Sequence, residues 1–111
     1  MARINYVELP AADIGAATAF YAAAFGWKLH DFGPSYAATT TGDVDLGLQG
    51  DTAEASAVPL AVIDVPDLVS AQAAVEAAGG TIVRAAFAFP GGRRFHFRDP
   101  HGNELAVVTA G

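Results

Sequence analysis

Two ionisable side chains have apolar residues as their immediate neighbours in the sequence, and both could do acid–base chemistry. Glu8 lies in the run Tyr-Val-Glu-Leu at positions 6–9, and a carboxylate buried in such a run needs a hydrogen-bonding or ionic partner. His96 lies between two phenylalanines, and an unperturbed imidazole changes charge near neutral pH. Glu8 and His96 are therefore the candidate catalytic residues.

A structural role for the same side chains stays open. Arg94 and Arg98 flank His96 at strand spacing, and either guanidinium could form an ion pair with Glu8. Structural ion pairs perturb ionisable groups just as active sites do, so the sequence does not choose between catalysis and pairing. The residues predicted to bind a ligand on the same surface are Tyr6, Tyr36, Gln49, Arg94, Arg98 and Glu104.

Strands are needed to position these side chains, because alternate residues of a strand point to the same face. The polar residues at 6 and 8, at 94, 96 and 98, and at 104 fall on one alternating set. The other set is predicted to pack under helices; it contains Val7, Leu9, Val44, Leu46, Leu48, Ala61, Ile63, Val65, Phe95, Phe97, Leu105 and Val107.

The order of predicted elements occurs twice along the chain. Asp13 and Asp67 are predicted N-caps of two helices, and Gly26 and Gly79 are predicted to end them. Each helix lies between a preceding strand and three following ones. The predicted strands are 4–9, 27–30, 35–40, 44–49, 60–65, 81–84, 93–98 and 104–108, and the helices run to Phe25 and over 68–78. The fold class is therefore α+β, with two tandem βαβββ modules at about 1–50 and 58–111 of a single domain.

Composition narrows the functional classes. With 111 residues, 52% of them hydrophobic, the chain suits one domain with a buried core. Much of the apolar fraction is alanine, so stability is expected to depend on Phe20, Phe25, Trp27, Phe95 and Phe97 with the Val, Leu and Ile side chains. The formal net charge of −6 argues against nucleic acid and is compatible with cationic small molecules.

Cysteine is absent from the sequence, which excludes disulfide and thiol chemistry and fits a cytoplasmic location. No apolar run reaches transmembrane length and the first residues lack an apolar signal core, so neither secretion nor a membrane partner is expected.

The segment from Asp99 to Asn103 is predicted to be a turn. Pro100 has a fixed φ, and Gly102 or Asn103 can adopt the left-handed conformation. Asp99 can accept backbone N–H bonds across the turn, and His101 is predicted to be a solvated surface residue.

Several short motifs, in order, carry a family resemblance. They are Asp13 followed by Phe20-Tyr21 and Phe25-Gly26-Trp27, then Val65-Pro66-Asp67, Ala78-Gly79-Gly80 and the segment Phe97 to Asn103. The chain resembles the vicinal oxygen chelate (VOC) superfamily, which includes glyoxalase I, extradiol dioxygenases, fosfomycin-resistance enzymes and bleomycin-resistance proteins. The resemblance implies a curved, barrel-like mixed sheet with helices outside, a sheet-lined cavity and a homodimer.

Metal-dependent members of that family hold one divalent ion with His, Glu or Gln from four strands. Their positions fall here on Tyr6, Gly47, Leu60 and Ala106, none of which is a good ligand. A shift of two residues would give Glu8, Gln49, Val62 and Glu104 instead. The resemblance therefore implies a metal-free, cofactor-free protein that binds a small molecule. The alternative is a glyoxalase-like lyase or isomerase that uses Glu8 and His96 or a non-standard metal site.

Overall fold

The computed structural model describes residues 2–110. Contacts divide these residues into two compact units. Residues 6–60 form the unit called here the N-terminal module, and residues 61–110 together with 2–5 form the C-terminal module.

The N-terminal module contains four strands and one helix. These elements are β1 (Arg3–Pro10, of which residues 6–10 lie in this module), α1 (Ile14–Phe25), β2 (His30–Asp31), β3 (Tyr36–Ala38) and β4 (Asp45–Gln49). The strand order is β2-β3-β4-β1. Strands β1 and β4 are parallel from Tyr6 opposite Asp45 to Pro10 opposite Gln49, and the other pairs are antiparallel.

The C-terminal module repeats this connectivity. It contains β5 (Leu60–Asp64), α2 (Leu68–Ala77), β6 (Thr81–Phe89), β7 (Gly92–Arg98) and β8 (Glu104–Ala110). The order is β5-β8-β7-β6, with β5 and β8 parallel and the other pairs antiparallel. The predicted α+β class with two βαβββ modules is confirmed.

Both helices begin at the predicted N-caps. The Asp13 side chain accepts a hydrogen bond from the backbone N–H of Ala16 at 3.0 Å. The Asp67 side chain accepts from Val69 and Ser70. Gly26 ends α1 in the left-handed conformation at φ 70°, where a Cβ would be unfavourable. Local hydrogen bonding therefore determines the helix ends.

The core of the C-terminal module lies between α2 and one face of its strands. Phe95 is fully buried and packs with Val65, Leu68 and Val107. Partly buried apolar side chains surround this cluster, namely Ile63, Ala71, Val75, Ile82, Ala86 and Phe97. The predicted apolar face is confirmed in this module. Because His96 alternates with Phe95 and Phe97, its side chain lies on the face opposite α2.

Helix α1 packs differently from the prediction. None of its residues is buried, and the rings of Phe20 and Phe25 are 60% and 62% exposed. The half-buried positions are 14, 17, 18 and 21, and their spacing of three and four residues places them on one side of the helix. Phe20 and Phe25 lie off that side. Trp27, which follows the helix, is also 40% exposed. The expectation that Phe20, Phe25 and Trp27 support the core is therefore wrong.

Two strand boundaries also differ from the prediction. Of the segment 27–30, only His30 is in a strand, and β2 continues to Asp31. Strand β6 does not end at Arg84 but continues to Phe89, opposite Gly92 of β7. The register shifts between Ile82 and Arg84 and again between Arg84 and Phe87. These irregularities interrupt the alternation of side chains between the two faces, so the sequence pattern does not indicate a strand beyond Arg84.

The Asp99 to Asn103 segment is a structural turn, as predicted. The Asp99 carboxylate accepts hydrogen bonds from the backbone N–H of His101 at 2.8 Å and of Asn103 at 2.9 Å. The Asn103 side-chain amide donates a third bond at 2.9 Å. Hydrogen bonds from Asn103, above all, lower the pKa of Asp99. Gly102 takes the left-handed conformation at φ 87°, and His101 is exposed.

Candidate functional site

A hydrogen-bonded chain of three side chains lies on the polar face of the N-terminal module. The Tyr36 hydroxyl donates to Glu8 Oε2 at 3.1 Å. The hydroxyls of Tyr6 and Tyr36 are 2.6 Å apart. Since the Tyr36 proton is directed to Glu8, the Tyr6 hydroxyl is the donor to Tyr36. The chain therefore runs from Tyr6 through Tyr36 to the carboxylate of Glu8, a residue that is only 3% exposed.

Gly47 makes this arrangement possible. It lies opposite Glu8 on β1 and opposite Ala38 on β3. A Cβ at Gly47 would collide with the hydroxyl oxygens of both Tyr6 and Tyr36. The two phenols therefore occupy the space that any side chain at position 47 would need.

Burial, the negative charge of Glu8 and the hydrogen bond from Tyr6 together raise the pKa of Tyr36 far above its usual value near 10. The Tyr36 hydroxyl therefore keeps its proton at physiological pH and acts as a hydrogen-bond donor to Glu8. The cluster therefore holds the buried Glu8 carboxylate in place through the phenol of Tyr36.

Gln49, a further predicted ligand residue, lies at the end of β4 opposite Tyr36. Its Oε1 accepts a hydrogen bond from the backbone N–H of Asp51 at 3.0 Å. This bond anchors the loop that follows β4. The structure therefore brings Tyr6, Glu8 and Tyr36 together. The side-chain carbonyl of Gln49 instead accepts a hydrogen bond from the backbone of the loop that follows β4.

A second polar cluster lies on the C-terminal module, on the strand face opposite α2. His96 Nδ1 is 2.8 Å from Glu104 Oε2, and Arg94 Nε donates to His96 Nε2 at 3.2 Å. The network implies a neutral imidazole that carries its proton on Nδ1 and donates it to Glu104. Arg98 lies in the same alternating row, opposite Glu104, and is exposed.

The environment of His96 keeps its imidazole neutral. The side chain is 2% exposed, and burial is the largest cause that lowers the pKa of His96 below its usual value of 6.5. The Glu104 hydrogen bond and charge raise the pKa again, whereas the positive charges of Arg94 and Arg84 lower it. As the pH falls below about 6.5, the unfolded chain takes up a proton that the folded protein resists, so the free energy of unfolding decreases.

Because Glu104 raises the pKa of His96 and Arg94 lowers it, substitutions of these two residues are expected to shift that pKa in opposite directions. We expect Glu104→Gln to lower the pKa of His96 further, because a favourable charge and acceptor are lost. We expect Arg94→Gln to raise it, because a like charge is lost. Titration of the His96 imidazole by NMR measures both shifts, and loss of the signal in His96→Gln assigns it. Shifts of the same sign in both variants would contradict this account.

Strand β6 adds residues that the sequence prediction missed. The Arg84 guanidinium carbon lies 3.8 Å from the centroid of the Phe87 ring. The Arg94 guanidinium carbon lies 5.6 Å from the Phe87 centroid and 5.5 Å from that of Phe89. The predicted strand ended at Arg84, so Phe87 was assigned to no strand, and a regular strand would place Arg84 on the same face as Ile82. The one available signal was the clustering of arginines at 84, 93, 94 and 98.

The N-terminal module also contains a cavity of about 550 Å³. Apolar side chains of Val7 and Leu46 line it together with Trp27, Lys28 and His30. Because Val7 alternates with Tyr6 and Glu8, this cavity lies on the other face of β1 from the tyrosine cluster. None of the predicted ligand residues lines it.

The residues at the family's metal positions do not fit a divalent ion. The space at Gly47 is taken by two tyrosine hydroxyls, and Leu60 and Ala106 are buried apolar residues. In the shifted set, Glu8 and Glu104 each accept a side-chain hydrogen bond and Val62 is apolar. Across residues 2–110, no group of three or more His, Cys, Asp or Glu side chains is arranged to hold a metal ion.

No helix among residues 2–110 combines the length and the apolar character needed to cross a membrane. The family model described as the Glyoxalase/Bleomycin resistance protein/Dioxygenase superfamily matches residues 3–107. The chain belongs to this superfamily. No curated protein sequence matches this VOC chain.

Solved structures share the VOC fold at low sequence identity. A superfamily member from Vibrio splendidus has a TM-score of 0.71 at 19% identity, with 99% of each chain covered. Methylmalonyl-CoA epimerase from Mycobacterium tuberculosis has a TM-score of 0.76 at 17% identity, covering 97% of this chain and 87% of its own. The Mn(II)-bound glyoxalase from Novosphingobium aromaticivorans has a TM-score of 0.69 at 22% identity, covering 98% of this chain and 40% of its own. At these identities the likeness is one of fold.

Proposed function

We propose that this VOC protein binds an organic small molecule through its polar strand faces and does so without a resident divalent ion. The observation that carries the proposal is the placement of the Tyr6 and Tyr36 hydroxyls at Gly47. Where a metal ligand would be needed at position 47, this chain has two phenols, and the raised pKa of Tyr36 keeps its hydroxyl protonated, which suits hydrogen bonding better than metal ligation.

The hydrogen bonds favour binding over acid–base catalysis. His96 Nε2 already accepts a bond from Arg94, so its lone pair is not directed at a substrate. Glu8 Oε2 accepts from Tyr36, which favours the carboxylate as a fixed acceptor. A general base needs the lone pair within hydrogen-bond reach of the proton that it removes.

Ligand screening of metal-stripped protein tests the proposal. We expect a panel of aromatic acids, amides and amines to include compounds that raise the melting temperature in EDTA and bind saturably by calorimetry. We expect Tyr36→Phe to weaken such binding by roughly three- to tenfold, because one hydrogen bond contributes on the order of 1 kcal/mol. Tyr21→Phe removes a hydroxyl on α1 and serves as the matched control.

Two results would replace this proposal. Affinity that appears only when Mn²⁺ is added would show that a metal is required. Exchange of a ligand C–H proton for deuterium in D₂O, lost in Glu8→Gln, would establish the lyase- or isomerase-type alternative.

A further inference from the structure

Helix α1 leaves part of the apolar strand face of the N-terminal module uncovered. The helix packs against β3 and β4. Leu48 is 1% exposed, whereas Leu46 is half-buried and Val44, just before β4, is 54% exposed. Residues two apart on a strand share a face, so this one row changes from buried to exposed along its length. The cavity of about 550 Å³ lies at the exposed end, where Val44 and Leu46 line it with Val7 of β1.

Small side chains on the third strand of the module explain why this space is open. In each module the third strand is antiparallel to the fourth. In the C-terminal module, the Phe95 ring lies opposite Val107 and fills the core. In the N-terminal module, Ala37 lies opposite Leu48, and the chain continues to Thr39, which lines the cavity. Protein interiors are normally close-packed, and a methyl group in place of a ring leaves this face unfilled.

The cavity has an apolar floor and a basic rim. The half-buried side chains of Val7 and Leu46 form the floor. Lys28 and His30 line the cavity as exposed residues. Among residues 2–110, the Lys28 ammonium forms no hydrogen bond or ion pair. A ligand with an apolar body and one negatively charged end would complement both parts, since a few polar groups fix the orientation of a ligand in a mainly apolar pocket.

The acidic residue that lines the cavity, Asp45, is occupied by its own chain segment. Its carboxylate accepts a hydrogen bond from the Thr39 hydroxyl at 2.7 Å. Two more come from the backbone N–H and the hydroxyl of Thr41, at 2.8 and 2.9 Å, and one from the backbone N–H of Gly42 at 3.1 Å. Burial opposes the charged form, but these hydrogen bonds outweigh it and lower the pKa of Asp45. Asp45 therefore holds the 39–45 segment, and we expect a ligand carboxylate at Lys28 and away from Asp45.

The walls favour an aliphatic ligand body over an aromatic one. The indole ring of Trp27 lines the cavity, but it already packs against Tyr21 and Phe25, with ring centroids 5.6 and 5.2 Å away. The floor consists of branched aliphatic side chains, which make dispersion contacts with methylene groups and have no ring face for stacking.

We propose that this cavity binds a medium-chain aliphatic carboxylic acid, with its chain against the apolar floor and its carboxylate paired with the Lys28 ammonium. The volume of about 550 Å³ is within the range of pockets that bind small organic molecules. The cavity lies on the other face of β1 from the tyrosine cluster. It is therefore a second site, and it does not depend on the proposed function.

Three probes with the same eight-carbon chain test the ligand class in the presence of EDTA: octanoate, octanamide and octylamine. Trp27 is the one tryptophan of the sequence and Lys28 the one lysine, so Trp27 fluorescence and the Lys28 side-chain NMR signal both report on the cavity. We expect octanoate to change both signals saturably and to bind roughly two- to fivefold more tightly than octanamide, the range for an exposed ion pair. Octylamine is expected to bind most weakly, because it brings a like charge to Lys28.

Matched variants separate the roles of charge and apolar surface. Lys28→Gln is expected to weaken octanoate binding to the level of octanamide, whereas Arg93→Gln removes a positive charge from an exposed position of β7 and should leave the preference unchanged. Val44→Ser is expected to weaken octanoate and octanamide alike, with the preference for the acid retained. Val69→Ser makes the same change at a position of α2 that is 80% exposed and should affect neither. The melting temperature of each variant reports that it is folded.

Equal binding of the acid, the amide and the amine, or a preference for the acid that survives Lys28→Gln, would overturn this inference. Failure of all three probes to bind would overturn it too, as would octanoate binding by calorimetry that leaves the Trp27 and Lys28 signals unchanged. Octanoate binding that is weakened by Tyr36→Phe and not by Val44→Ser would assign the ligand to the polar strand face, against this site and in favour of the proposed function. If octanoate binds as expected while the aromatic panel fails, the proposed function falls and this site stands.

Discussion

Gly47→Ala is expected to lower the stability of the protein by about 1–3 kcal/mol, the range for an overpacked interior. The added Cβ would collide with the hydroxyls of Tyr6 and Tyr36, and both strands that flank Gly47 restrict its backbone. Relief of the collision would move the phenols away from Glu8. The buried carboxylate would then lose the hydrogen bond that it accepts from Tyr36, which adds to the cost.

Thermal and urea unfolding measure this effect, and the tyrosines supply the control. We expect the melting temperature to fall by roughly 5–15 °C, given the usual relation between stability and melting temperature for a chain of this size. In a Tyr6→Phe/Tyr36→Phe background both hydroxyls are absent, so Gly47→Ala should cost less. An equal loss in both backgrounds would show that the phenols are not the reason for glycine at position 47.

Phe95→Ala is expected to cost about 3–5 kcal/mol, because it empties the centre of the C-terminal core. The ring is fully buried and packs with Val65, Leu68 and Val107. A loss of this size is a large part of the roughly 5–15 kcal/mol that stabilises an ordinary domain.

Phe32→Ala provides the matched control, because the same side chain is removed from a position that is 58% exposed. We expect its effect to lie within about 0.5 kcal/mol of zero. Urea unfolding followed by circular dichroism, together with NMR signals from the C-terminal module, measures both variants. Similar losses for the two substitutions would contradict the placement of the core at Phe95.

The candidate sites could be predicted in part. Tyr6 and Glu8 share a face because they are two residues apart on one strand, and Arg94 and His96 share a face for the same reason. Alternation therefore predicted the polar sets correctly. It could not predict that Tyr36 donates to Glu8 or that Arg94 donates to the lone pair of His96, because these contacts depend on strand register and rotamers.

Composition alone does not indicate which aromatic side chains of this protein are buried. Phe20, Phe25 and Trp27 are as apolar as Phe95, yet only Phe95 is buried. On α1 the residues on the half-buried side include Ala17 and Thr18, and the large phenylalanine rings lie elsewhere on the helix. In a helix whose positions are nearly all apolar, the sequence has no polar face to indicate which side packs.

Local chemistry in the sequence was enough to determine the helix caps at Asp13 and Asp67, the turn at Asp99 and the doubled βαβββ order, because each depends on residues close together in the chain. Only the tertiary structure decided that two tyrosine hydroxyls occupy the space at Gly47 and that Arg84 and Phe87 lie beside Arg94. These features arise from strand pairing between distant segments and from bulges that shift register by one residue. A one-residue shift moves side chains to the opposite face, and no local pattern specifies it.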